Sequence, residues 1–197
     1  MVQVTAWLKG TSMMSDIQDS EFAALRATIR ERGSLRTGLL LAGLVAWGAL
    51  AVAVAAAQVV GPFRLVPLMI LAATFEVTYA IHAGVERIGR YVQVFYEERQ
   101  TTRDSPAPAA AWETSVTAYA RMYPDGGSDP LFIWPLSLAA VLNTGGLFAV
   151  GSGGDVALVI LFATHVPFLL RMFAVRRQIG AQRAIDLERF RQIRDRK

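Results

Sequence analysis

The chain has 197 residues, of which 53% are hydrophobic and only 18% charged, with a formal charge of +4, a pI near 9.8 and a mean hydropathy of +0.36. A soluble domain carries about 25% charged residues, so the apolar excess marks an integral membrane protein and excludes an ordinary soluble enzyme. The absence of cysteine removes disulfide exchange, thiolate nucleophiles, Cys-ligated zinc and iron–sulfur clusters.

The N-terminal segment, residues 1–36, opens without an apolar stretch ahead of a small-residue cleavage site, so no cleavable leader is expected. Met13 or Met14 can serve as the start in place of Met1. Ser15 and Gln18 have capping-box spacing, and Gly33 is positioned to close a helix. Phe22, Leu25 and Ile29 form an apolar stripe opposite Arg26 and Arg30. That pattern predicts an amphipathic helix on the membrane surface or on the ends of other helices.

The first membrane hairpin occupies residues 37–84. Residues 37–63 form 27 consecutive positions without a charge, beyond the roughly 18 that mark a span. A first span is predicted over 37–60, with a small face of Ala42, Ala46, Ala49, Ala53 and Ala56 suited to close packing. A second span over 65–84 carries Glu76, Tyr79 and His82. Residues 85–130 follow as an extension bearing Glu86, Arg87, Arg90, Glu97 and Glu98, a linker over 100–111, and an aromatic helix. In that helix Trp112, Val116, Tyr119 and Tyr123 make a stripe suited to the headgroup level, or to packing on the neighbouring extension.

The second hairpin occupies residues 131–175, and residues 130–154 are 25 more positions without a charge. Spans are predicted over 131–150 and 156–175, followed by a basic helical tail over 176–197 of mixed charge. With both termini in the cytoplasm, Arg64 is the one basic residue of twenty at the outer face, which is what the positive-inside rule requires. The fold class expected is therefore all-α: four transmembrane helices of the cell (inner) membrane, with cytoplasmic helical extensions and interfacial amphipathic helices. The basic tail is accounted for by orientation, and no motif indicates nucleic acid.

Depth locates the candidate chemistry. At 1.5 Å per residue, Glu76 lies about 18 Å below Arg64, His165 about 15 Å below Asp155, and Asn143 about 12 Å below Gly151. All three reach the middle of a core about 30 Å thick. An isolated carboxylate is costly there, so Glu76 is expected to be protonated or held by a partner, with His165, Asn143, Thr144 and Tyr79 as the candidates. One reading is an ion or proton site in a homo-oligomeric channel or proton/cation-linked carrier. The other is interhelical glue in a non-catalytic accessory or scaffold subunit. His82, with Glu86 at i+4, and Arg171, about 24 Å below Asp155, are secondary candidates. Arg171 either snorkels to the interface or turns in towards Tyr79 and Glu76. His82 and His165 as axial ligands of a b-type haem form a minor alternative, opposed by a depth for His82 of about 27 Å. HExxH is absent, and no catalytic residue, metal or cofactor is expected. The partners expected are the lipid bilayer and a second copy or another membrane protein.

Overall fold

The computed structural model describes residues 2–98, 112–123, 129–149 and 155–196, and all regular structure among them is helical. Helix α1 spans Val2–Ala56 and α2 spans Val66–Val92, preceded by a 3-10 turn over Gly61–Leu65 and followed by a π turn over Gln93–Glu97. Helix α3 covers Trp112–Met122, α4 Ile133–Ala149, α5 Asp155–Ala163 and α6 His165–Asp195. The linker expected over 100–111 and the turn over 151–154 lie outside the described residues.

Among the described residues, three helices are long and apolar enough to cross a membrane: Ile17–Ala56, Gly61–Glu97 and Val159–Asp195. The third expected span corresponds to α4, whose 17 residues extend about 25 Å at 1.5 Å per residue.

Two boundaries differ from expectation. The separate amphipathic helix ending at Gly33 does not exist, because α1 runs unbroken through that position. A glycine inside a helix costs only about 1 kcal/mol, and no proline follows to stop propagation. The fourth expected span is interrupted at Thr164. Pro167 has no N–H to offer the carbonyl of Ala163 four residues earlier. The Thr164 backbone nonetheless keeps helical dihedrals, φ −69° and ψ −21°, so α5 leads directly into α6.

Helices α1 and α2 form a long antiparallel pair. The turn between them uses left-handed backbone at Gln58 (φ 49°) and Gly61 (φ 73°), a conformation glycine adopts without a Cβ clash. Near the middle of the pair, Gly43 lets α1 approach α2 so closely that a Cβ there would run into the Thr74 side chain. Farther along, Arg36 meets His82 and Phe22 packs on Tyr96, with ring centroids 5.4 Å apart. The contact thus continues well past the length a 30 Å core can hold.

Helix α2 is the axis of the bundle. Its Leu68, Leu71 and Phe75 join Leu40 of α1, Leu136, Ala139 and Ala140 of α4, and Phe168, Met172 and Val175 of α6 in one apolar core. Phe75 meets Phe168 edge-on at 6.2 Å. By contrast, only 6% of the apolar window of α1 is buried, so α1 is peripheral and presents its small residues outward. A second, aromatic core ties the extensions together: Tyr91 and Phe95 of the α2 extension pack against Phe190 of α6, beside buried Leu187.

Candidate functional site

The polar residues that counting places at similar depth do not form one cluster. Asn143 and His165, counted to similar depths, are in contact, Asn143 Nδ2 lying 3.0 Å from His165 Nε2. The other ring nitrogen of His165 is 2.9 Å from the Leu161 carbonyl oxygen, and Trp47 Nε1 donates to Asn143 Oδ1 at 3.4 Å. With the Leu161 carbonyl taking the Nδ1 proton, Nε2 is left to accept from Asn143. Both residues are buried. Thr144 stays outside this group, its hydroxyl donating to its own helix at the Ala140 carbonyl, 2.9 Å away. Beside Trp47 and Asn143 lies a crevice of about 320 Å³ whose other walls include Gly48, Ala51, Ala55 and Leu142.

Glu76 does not join His165, which corrects the expected cluster. Depth sets height, but azimuth sets contact, and Glu76 faces outward while Leu71, Phe75, Thr78 and His82 face the bundle. Its carboxylate accepts two hydrogen bonds from Arg171, from Nε at 2.8 Å and Nη2 at 3.1 Å. The guanidinium sits over the Tyr79 ring, 5.7 Å from its centroid, and Tyr79 in turn stacks on Phe75. Arg171 therefore turns in rather than snorkelling. The pair lies on the flank of the bundle, its side chains 45% and 48% exposed.

His82 is held by Arg36, Nη1 to Nδ1 at 3.0 Å, and Arg36 also lies over the Phe132 ring. Thus the two histidines, the candidate haem pair, occupy separate hydrogen-bonded pairs with different partners. Among the described residues, no group of three or more His, Cys, Asp or Glu is disposed to hold a metal ion.

The most extensive polar constellation lies at the far end, in the extensions. Arg90, 1% exposed, donates to Glu86 at 2.6 Å, Thr117 at 2.8 Å and Gln93 at 3.3 Å. Arg183 of α6 also donates to Glu86, at 3.0 Å. Two to three turns farther, Glu98 accepts from Arg191 at 2.6 Å and Arg194 at 2.7 Å. Buried Glu97 caps α3 from outside, taking the Glu113 and Thr114 backbone N–H groups at 2.9 and 2.8 Å. A carboxylate there satisfies donors that a helix start leaves unpaired and suits its dipole. The π turn makes this possible, since its wider i→i+5 winding rotates Glu97 onto the α3 side. Glu113 itself faces Gly89 and lies 3.5 Å from Arg26. Burial pushes its carboxyl above the usual range; Arg90 and Arg26 oppose that shift, and Glu97 and Glu86 reinforce it.

Arg90, Arg183, Gln93 and Thr117 were absent from the sequence-level candidates, although Arg90 at i+4 from Glu86 was a visible pairing signal. The α3 aromatics point away from this network: Trp112, Tyr119 and Tyr123 are 62%, 54% and 56% exposed. Comparison with protein-family models, curated protein sequences and solved structures yields no match.

Proposed function

We propose that this chain is a non-catalytic membrane scaffold whose working part is the rigid helical platform outside the bilayer. The reading includes four spans, α4 being the third, with both termini on the cytoplasmic side of the cell membrane. The excess of Lys and Arg in the extensions and tail supports that orientation.

The observation that carries the proposal is the Glu86–Arg90–Arg183 network. A guanidinium buried as deeply as Arg90 costs several kcal/mol unless fully hydrogen-bonded. Here Nη1 and Nη2 donate to Glu86, Gln93 and Thr117, which ties α2 to α3, and Arg183 of α6 joins the network at Glu86, while Nε has no partner among the described residues. Buried polar groups of this kind specify geometry more than they add stability. A fixed platform presenting exposed aromatics suits docking of a partner, since aromatic residues are enriched at protein interfaces. Within the spans, meanwhile, Asn143 pairs with His165, Arg36 with His82 and Glu76 with Arg171, and the crevice beside Asn143 has mainly apolar walls.

The test is native electrophoresis of detergent-extracted native membranes carrying wild type or Glu98→Lys. The charge reversal sets three cations together and should loosen α6 from α2. The scaffold reading expects the chain in an assembly larger than its purified form, dissolved by Glu98→Lys. Identical migration of native and purified chain would overturn it. Channel or carrier activity is the second reading, favoured by the Glu76–Arg171 pair, a charged group near the middle of the bilayer.

A further inference from the structure

We propose that the flank of α2 and α6 carrying Glu76 and Arg171 is the surface through which two copies of this chain pair in the membrane. The inference rests on the membrane-spanning reading and is independent of the scaffold reading.

Glu76 stands between 11 uncharged residues towards Arg64 and 9 towards Glu86. It is therefore near the bilayer centre, as far from water as α2 allows. Nevertheless the ion pair is close to half exposed on the side of the bundle. Charged groups at this depth normally face protein or water, because hydrocarbon solvates them poorly. The pairing with Arg171 neutralises net charge but leaves both groups open on one side. Arg171 Nη1 makes no hydrogen bond among the described residues, the contacts to Glu76 being made by Nε and Nη2.

The surroundings are shaped for close approach. Ala73 and Ala80 of α2 and Ala174 of α6 are exposed around the pair. Small side chains let membrane helices come near enough for interhelical hydrogen bonds. The small face alone would not identify an occupant; the charges do. Acceptor and donor sit side by side at one depth on neighbouring helices. Rotation by 180° about the membrane normal preserves depth and exchanges left for right across the interface. It sets the second copy's Arg171 opposite Glu76, and its Glu76 opposite Arg171. Such a contact is isologous, with each residue of the pair meeting the other on both sides. The result is a ring of two anions and two cations, closed to lipid by the alanines. A different partner protein would need to supply both an anion and a cation at this depth. A second copy supplies them by symmetry.

The absence of native cysteine allows a direct test. Purified full-length chain in liposomes, bearing Ala80→Cys on the flank or Val52→Cys on exposed α1, is treated with a flexible bifunctional thiol reagent. Cross-linked dimer should form at position 80 about tenfold faster than at position 52, as expected for a specific over a collisional contact. Glu76→Arg and Arg171→Glu should each abolish the preference when alone, and restore it when the two singly reversed chains are mixed. Since reversal also breaks the internal pair, Ala80→Trp, monitored by tagged-copy photobleaching, provides a variant that blocks approach with Glu76 and Arg171 intact. It should leave helicity unchanged and lower the dimer fraction. Equal rates at positions 80 and 52, failure of the mixed chains to pair, or dimers undiminished by Ala80→Trp would overturn the proposal. Cross-links to another protein in native membranes with none in purified liposomes would overturn it as well. The scaffold reading would survive any of these results.

Discussion

Replacing Arg90 by methionine removes the cation at the centre of the platform while keeping most of its volume. Three acceptors lose a donor: the Glu86 carboxylate at 2.6 Å, Thr117 Oγ1 at 2.8 Å and Gln93 Oε1 at 3.3 Å. Removing one partner of a buried pair costs about 3–5 kcal/mol. The lower end applies, because Glu86 keeps Arg183 and is 28% exposed, and because Thr117 retains the Glu113 carbonyl. Of the three bonds only the one to Thr117 crosses to α3, and a hydrogen bond to a charged group is worth about 1.5–3 kcal/mol, so the docking of α3 weakens by roughly tenfold to a hundredfold. Hydrogen exchange in lipid nanodiscs reads this directly. Amides of residues 112–122 should exchange at least about tenfold faster, while those of the α1 apolar window keep wild-type protection. Adding Glu86→Gln should cost less than it does in wild type, since one of the two cations facing that carboxylate is already gone. Protection of α3 within about twofold of wild type would refute the claim that Arg90 holds the platform together.

Three further outcomes follow from the same contacts. Gly43→Val should destabilise the α1–α2 pair by about 2 kcal/mol through overpacking on Thr74, whereas Gly48→Val, with open space around it, should change thermal stability in detergent by less than about 0.5 kcal/mol. Glu113 has a folded-state pKa above its unfolded value, so the docked form of α3 binds more protons between the two values and its stability falls as pH rises through the raised one. Exchange protection of α3 should accordingly increase as the pH is lowered from neutral through the raised carboxyl pKa, and Glu113→Gln should flatten that dependence. For orientation, thiols introduced as Val60→Cys should label from outside intact cells and those introduced as Arg189→Cys only after permeabilisation; the reverse pattern would contradict the assigned topology.

The membrane class and helix content were legible because long uncharged runs have few other destinations. The Asn143–His165 contact was legible for a related reason. Both residues can be counted inward from the turn at 151–155, so errors in height cancel between them. Glu76 shows where counting fails. It lies 100° around the helix from Phe75, and the buried stripe of Leu71, Phe75, Thr78 and His82 was readable in principle as i, i+4, i+7 and i+11 spacing. Polarity drew attention to Glu76 and hid that it stands off the stripe. Continuity of α1 through Gly33 was not legible from a cap signal, since the same glycine serves as a terminator or as a tolerated interior residue depending on what packs beyond it. The π turn at Gln93–Glu97 has no local sequence signature, and with it went the placement of Glu97 on α3. The pairing of Glu86 and Glu98 with α6 joins residues more than 90 apart, and only the assembled bundle brings them together.

On the scaffold reading the polar groups of the spans form no path for ions, and the platform outside the membrane is the working part. Flux into proteoliposomes under imposed pH and cation gradients measures this most directly, with wild type, Glu76→Gln and empty vesicles compared in both gradient directions. Wild type and Glu76→Gln should pass no more protons or cations than empty vesicles. Wild-type flux above that level and abolished by Glu76→Gln would contradict it and establish the carrier or channel reading in its place.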